Sequence, residues 1–477
     1  MNDSRSRVGN LLVVVVLLAM ASWWLFAEEG LRWPDVAGSR WSLFVVVVVL
    51  YAALCLVAIA RTRRMTRPAT VVDHGTILVA FATQTGFAEE LATRTAAALR
   101  AAGHRIDLRP LAQVDAATLM ATRVAFFVVA TYGEGEPPDT SRRFAREVLG
   151  AVASLGDLRF GMLALGDRGY EHFCGFARTF EAWLTKQGAD PLFARIDVDK
   201  SASAALAAWD AGLLPWTGDA AVQTLPSFVW WTVSERRRAN PGSIGEPAFH
   251  VTLVPPQGEA PSWEAGDIAI VQLPDGQQRE YSIASLPADG RIDLLVRQAH
   301  RSDGGIGFGA RWLTSTLAIG ASTGLRIRAN QGFRLAGIAP STPLILIGNG
   351  TGIAGLRAHL KARVAAGATR HWLFFGERHA AVDNVYGDEL DAWQRAGFLE
   401  RISYAFSRDT PRRVHVQDRV LEQRDAVAEW LAFGAVVLVC GNAAGMADGV
   451  DAALKAIVGD AALEDMAVDG RYRRDVY

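Results

Sequence analysis

Three apolar runs in the first half of the chain each lead into a loop whose residues suit an anion or a flat ring. Thr76–Phe81 leads into Thr83-Gln84-Thr85-Gly86-Phe87-Ala88-Glu89-Glu90, and a helical pattern follows as far as Ala101. A buried strand, a hydroxyl-bearing turn with one glycine and a helix N-terminus together make a phosphate cradle. Backbone N–H groups and the helix dipole favour the anion, and hydroxyls add donors. Taken alone, the same turn is equally a capped helix start. Val124–Ala130 leads into Thr131-Tyr132-Gly133-Glu134-Gly135-Glu136-Pro137-Pro138, and Phe160–Leu165 into Gly166-Asp167-Arg168-Gly169-Tyr170-Glu171-His172-Phe173. Ligands of an open α/β sheet bind outside the carboxyl ends of its strands, so these loops share one rim. A lone tyrosine there is ordinary packing. Tyr132 and Tyr170, in adjacent loops beside a phosphate turn, are placed to sandwich an isoalloxazine.

The second half carries a different set. Arg279-Glu280-Tyr281-Ser282-Ile283-Ala284-Ser285 lies at a strand end and offers a cation for a pyrophosphate, an aromatic for a flavin face and a hydroxyl beside the reactive ring nitrogen. As an isolated string it is also an ordinary strand. Gly307-Phe308-Gly309-Ala310-Arg311-Trp312-Leu313 opens a helix with glycines, again a pyrophosphate-type N-terminus. Pro343–Ile347 reads as a strand followed by Gly348-Asn349-Gly350-Thr351-Gly352-Ile353-Ala354 and a helix, a turn that many βα loops share. Trp372–Gly376 and Val436–Cys440 read as later strands of a doubly wound sheet, followed by Glu377-Arg378-His379 and Gly441-Asn442-Ala443.

In this order the motifs resemble those of the NADPH-dependent diflavin reductases, the family of the sulfite reductase flavoprotein subunit and NADPH–cytochrome P450 reductase. The likeness runs over residues 75–477. It implies that Thr83, Gln84, Thr85 and Gly86 hold the phosphate of FMN, and that Tyr132, with Gly133, and Tyr170 flank its ring. It implies that Arg279, Tyr281, Ser282, Gly309 and Ala310 hold FAD. Gly350 and Thr351 would form the pyrophosphate loop for NADPH. Arg378, Ser407, Arg408, Arg413 and Gln417 would complete that site, with cations facing the 2′-phosphate. The likeness places Ser282, Cys440 and Asp475 on the hydride path and Tyr477 over the FAD ring, from which it moves aside for nicotinamide. Cys440 as a plain buried thiol is the competing reading. The chain departs from its relatives at Phe87 (Thr or Asn), at Ala310 and Arg311 (Ser or Thr), and at Arg413 and His415 (Lys and Tyr). Phe87 removes a phosphate donor. Most of the family's helical connecting insertion is absent.

The fold expected is α/β: a flavodoxin-like doubly wound domain, then a ferredoxin–NADP reductase-like module (an antiparallel FAD barrel plus an α/β NADP domain), preceded by two transmembrane helices. The boundaries are residues 1–67 for a membrane anchor, 75–216 for FMN, 217–338 for FAD and 339–477 for NADPH. Short β runs at Ala248–Val254, Ile268–Leu273, Ile292–Gln298 and Gly324–Ala329 build the barrel. The anchor rests on two uncharged apolar runs, Leu11–Ala27 and Trp41–Ala60, giving helices near residues 8–27 and 41–60. A bilayer core needs about 20 apolar residues of helix. Arg5 and Arg7 precede the first run, and Arg61, Arg63, Arg64 and Arg67 follow the second, so the positive-inside rule puts both ends in the cytoplasm. The expected location is therefore multi-pass in a bacterial-type inner membrane, with the catalytic domains cytoplasmic. A signal peptide cleaved near Ala19-Met20-Ala21 is the alternative.

Composition excludes other classes. The 477 residues carry a net charge of −1 with no basic tract, so there is no electrostatic footprint for nucleic acid. Three cysteines, Cys55, Cys174 and Cys440, without a CxxC pair argue against a disulfide framework and against any metal or cluster site. The expected activity is NADPH oxidation with electrons passing from FAD through FMN to a redox acceptor. That acceptor is a haem protein, an iron–siderophore reduction system, or a quinone or small oxidant. A flavin-binding sensor or scaffold without turnover is the non-enzyme alternative.

Overall fold

β1 (Thr76–Ala82) is buried from Ile77 to Ala82, the continuous apolar run of a strand covered on both faces. It pairs in parallel with β2 (Arg105–Pro110) and β3 (Val124–Ala130), and β3 pairs with β4 (Arg159–Gly166). β5 (Asp190–Pro191) and β6 (Ile196–Asp199) both add to β4, so the order is β2-β1-β3-β4-β5 with β6 beside β4. Alternate residues sort into two cores. Leu78, Ala80, Phe127 and Val129 face one side with Phe160 and Phe180, while Ile77, Val79, Phe126 and Val128 face the other with Trp209. The switch point lies between β1 and β3, which places the loops after these strands on either side of one crevice.

Six antiparallel strands follow: β7 (Val229–Arg238), β8 (Ala248–Val254), β9 (Ile268–Gln272), β10 (Gln278–Ser282), β11 (Ile292–Arg297) and β12 (Ser322–Arg328), in the order β10-β9-β12-β7-β8-β11. Their inward residues, among them Trp231, Val251, Val271 and Leu294, form one core. No strand pairing joins β10 to β11 among the described residues, so the expected barrel is open at that seam.

The last sheet is parallel: β13 (Leu344–Asn349), β14 (His371–Glu377), β15 (Leu399–Phe406), β16 (Val436–Gly441) and β17 (Tyr472–Val476), in the order β15-β14-β13-β16-β17. Ile345, Ile347, Val437 and Val439 face one core, and Leu344, Leu346, Leu438 and Cys440 the other. Its switch point is between β13 and β16.

This computed structural model describes residues 75–200, 202–218, 225–299 and 305–477. The two apolar runs read as membrane helices, Leu11–Ala27 and Trp41–Ala60, lie outside the described residues. The expected inner-membrane, multi-pass location is corrected. Among the described residues no helix is long and apolar enough to cross a membrane. The most apolar of the long helices, Ser203–Thr217, contains Pro215 and turns Leu206, Trp209 and Leu213 onto a sheet rather than outward.

His359, in the helix Ile353–Ala365, is buried against the Phe333 ring, and its Nε2 has no partner. Burial, with Arg473 and Arg363 nearby, pushes its pKa from 6.5 down to about 3. Below 6.5 the unfolded chain takes up a proton that the folded chain refuses, so stability falls with pH across this window at roughly 1.4 kcal/mol per unit. Urea midpoints at neutral and mildly acid pH are expected to diverge less in His359→Phe than in the unvaried chain. Equal divergence would remove His359 from the acid response.

Candidate functional site

The turn after β1 is shaped by Gly86, whose φ of +87° leads into the helix Phe87–Ala101. Its N–H donates to Thr83 Oγ1 at 2.9 Å. The loop after β3 is tied to the loop after β4, the Glu171 N–H donating to Glu134 at 2.9 Å. Gln84 donates from Nε2 to Asp139 at 2.9 Å and accepts from the Asp139 N–H at 3.1 Å. Thr83, Gln84, Thr85, Tyr132, Gly133 and Tyr170 therefore gather on one rim. These loops fit FMN: Thr131 Oγ1 and the Tyr132 hydroxyl are buried there without a partner among the described residues, polar atoms that a ligand can satisfy. Burial pushes the Tyr132 phenol up to about 12, so it stays a neutral donor. Phe87 is a packing residue, with the Arg328 guanidinium 5.5 Å from its ring centre. Arg328 also donates to the Thr85 carbonyl at 3.1 Å, joining the antiparallel sheet to the turn after β1.

Ser282, Cys440 and Asp475 come from β10, β16 and β17 and meet. Ser282 Oγ donates to Asp475 Oδ2 at 2.6 Å; the Cys440 thiol donates to the same oxygen at 3.7 Å and lies 4.0 Å from Ser282 Oγ. Cys440 and Asp475 are partners in the ladder, which puts both on one face. Burial raises the Asp475 carboxyl above the usual range, with the Ser282 hydroxyl opposing. Burial and the Asp475 charge hold the Cys440 thiol well above its ordinary value. This thiol is a proton-bearing donor and not a nucleophile.

Beside this trio opens a cavity of about 810 Å³. Of the residues singled out from sequence, Tyr281, Ser282, Gly350, Thr351, Arg378, Ser407, Arg408, Gln417 and Tyr477 line it. Tyr477 is pinned by its backbone, its N–H donating to the Gly441 carbonyl at 3.0 Å and its carbonyl accepting from the Ala443 N–H at 2.9 Å. Its ring stays half exposed, and its hydroxyl is 2.9 Å from Thr351 Oγ1. The cavity fits a dinucleotide and a flavin: it is large, it is flanked by a glycine turn, and Arg378 Nη1 is buried on its wall without a partner. Arg279, Gly309 and Ala310 stand outside the lining; a side chain at Gly309 would meet Arg279 Cγ at 2.5 Å, so the helix start rests on the arginine stem. Arg413 is exposed and is not brought to the cavity.

His415, which stands where relatives carry Tyr in the run expected to face the 2′-phosphate, also lines the cavity. Arg297 and Glu377 form an ion pair on the wall that sequence reasoning missed. Burial raises the Glu377 carboxyl, and Arg297 opposes that shift. The available signal was a charge at the end of each of two apolar strands.

A flavodoxin family model matches residues 79–211, and an oxidoreductase NAD-binding domain model matches residues 346–452. The chain is similar to sulfite reductase [NADPH] flavoprotein alpha-components. It is 27% identical to that of Neisseria meningitidis serogroup C, over 84% of this chain and 89% of that protein. Identity is 26% with the Bacillus subtilis protein, with the same coverage. It is 27% with the Cronobacter sakazakii protein, over 87% of this chain and 91% of that one. Within the second matched segment Gly352 is pressed against β16, where a Cβ would lie 2.0 Å from the Cys440 carbonyl oxygen. Gly352→Ala is expected to displace this turn and weaken NADP⁺ binding by about tenfold or more in titration calorimetry, the ~1.4 kcal/mol of a modest overpacking strain; unaltered affinity would show that the turn tolerates the shift. With a flavodoxin domain and an oxidoreductase NAD-binding domain on one polypeptide, and likeness to sulfite reductase [NADPH] flavoprotein alpha-components over 84% of its length, the chain is an NADPH diflavin oxidoreductase that works with FMN, FAD and NADPH.

Proposed function

We propose that the chain moves a hydride from NADPH to FAD and sends the electrons by way of FMN, one at a time, to a haem or iron centre held by a separate protein or complex. Each NADPH gives up one hydride and becomes NADP⁺. Its two electrons reduce two one-electron acceptors, and one proton is released. The observation that carries this reading is the meeting of Ser282, Cys440 and Asp475 beside the cavity that Tyr477 and the Gly350 turn share. That the relatives are named as one component of a sulfite reductase supports a separate acceptor over a free small oxidant.

When bound, nicotinamide and the two flavins supply the hydride and single-electron chemistry; the protein supplies placement and electrostatics. In this proposal residues 75–216 hold FMN, 217–338 FAD and 339–477 NADPH. Thr83, Gln84, Thr85 and Gly86 hold a phosphate at a helix N-terminus, and Tyr132 and Tyr170 cover the ring. Arg279 and the Gly309–Ala310 backbone receive the FAD pyrophosphate, with Tyr281 against its ring. Asp475 Oδ2 fixes the Ser282 hydroxyl on the cavity wall, and the protonated Cys440 thiol keeps that oxygen from facing an apolar core unpaired. Tyr477 shields the flavin position from water, held loosely enough through Thr351 to yield to nicotinamide. Arg408, with Arg378, Ser407 and Gln417, receives the nucleotide end, and Arg413 waits at the rim.

Rapid mixing with NADPH tests the whole, since a sensor or scaffold would bleach slowly or not at all. Ser282→Ala is expected to slow FAD bleaching about a hundredfold with FMN content unchanged; a rate equal to that of the unvaried chain would take Ser282 off the hydride path. Arg408→Ala is expected to weaken NADPH binding about tenfold, the loss of one charge-assisted contact, and to leave NADH unaffected. Equal losses for both nucleotides would count against a 2′-phosphate contact.

A further inference from the structure

The Arg474 side chain of β17 reaches the loops around Tyr132 and is wholly buried. Its Nε donates to Asp139 Oδ2 at 2.6 Å, and its Nη2 donates to the other oxygen of the same carboxylate. Asp139 begins the short helical turn after Pro137-Pro138. Its carboxylate also takes the Gln84 amide at 2.9 Å and Arg142 at 3.0 Å. Gln84 makes a second bond, from Nε2 to the Arg474 carbonyl at 3.2 Å. The Arg474 guanidinium stands 5.0 Å from the centre of the Tyr132 ring. The guanidinium thus engages Asp139 and the Tyr132 ring, while the backbone carbonyl of the same residue takes the Gln84 amide of the turn after β1. The next residue, Asp475, holds Ser282 and Cys440 on the opposite face of the strand, as strand alternation requires.

Burying an ion pair is costly, and two apolar residues often hold a structure together as well. What a bidentate arginine–carboxylate pair adds is direction. We infer that Arg474 and Asp139 are a positioning pair that seats the FMN loops on the C-terminal strand and thereby sets the passage of electrons from the FAD site to the FMN site. This rests on the function proposed above. Further ion pairs flank it: Arg142 with Asp451 at 3.2 Å, Arg146 with Glu464, and Arg326 with Glu90. The more exposed of these are open to salt screening, and the central pair is not.

The test uses the full chain in two forms. Asp139→Asn keeps the shape and removes the charge; the double variant Asp139→Leu with Arg474→Met replaces the pair by apolar residues and guards against a folding defect. In flavin-free protein, hydrogen exchange at residues 83–86 and 139–142 is expected to quicken at least about tenfold in Asp139→Asn, with the exchange of β16 unaltered. In loaded protein mixed with NADPH, FAD reduction is expected to keep its rate while FMN reduction slows about tenfold or more in both variants. Unaltered exchange, or unaltered FMN reduction, would overturn the inference. So would equal slowing of both reductions, which would mean the hydride site had been disturbed, or full FMN reduction in the apolar double variant, which would reduce the pair to packing. A loaded unvaried chain in which NADPH reduces neither flavin would instead count against the proposed function, and the exchange comparison would still decide the pair.

Discussion

The pairing of β17 with β16 is the interaction on which the candidate site most depends. It sets Cys440 opposite Asp475 and Val439 opposite Arg474. Because side chains alternate along a strand, that register sends Asp475 toward Ser282 and Arg474 toward Asp139. A slip of one residue would exchange the two faces. The carboxylate would leave Ser282 and Cys440, and the guanidinium would be buried against apolar side chains without its partner. The register is held by the buried Tyr472 and Val476 in the same core as Val437 and Val439.

Around this strand, burial decides what the polar groups can do. Asp475 is a carboxylate in apolar surroundings, and its hydrogen bonds to Ser282 and Cys440 compensate for the water it has lost. The same burial keeps the Cys440 thiol protonated, so this sulfur is a donor only. Tyr477 sits just beyond this closed region with its ring half exposed. With its backbone fixed and its side chain half exposed, it can shift by a rotation of the side chain alone.

The two parallel sheets share a logic that the antiparallel sheet between them does not. Each has a switch point where neighbouring strands run on to opposite sides, and each switch point carries a glycine turn at a helix start, Gly86 in the first and Gly350–Gly352 in the second. The antiparallel sheet contributes side chains from its strand ends: Ser282 to the trio, Arg297 to the cavity and Arg328 to the turn after β1. The three sheets therefore meet around the candidate site.

The sequence by itself determined the strands and their loops. Residues 77–82, 124–130 and 344–347 are apolar without interruption, and small, hydroxylic or aromatic residues stand in the loops that follow them. Those are local properties, legible because a strand buried on both faces admits almost nothing polar. The open seam between β10 and β11 was not legible, because a β run does not state which neighbour it will pair with. The ion pair of Arg297 with Glu377 and that of Arg474 with Asp139 were hidden for the same reason: partners 80 and 335 positions apart are brought together only by packing. The part played by Phe87 also needed the tertiary structure. Sequence marked it as a lost phosphate donor, whereas its ring lies beneath Arg328 from another sheet, a contact that no property of the residues around it announces.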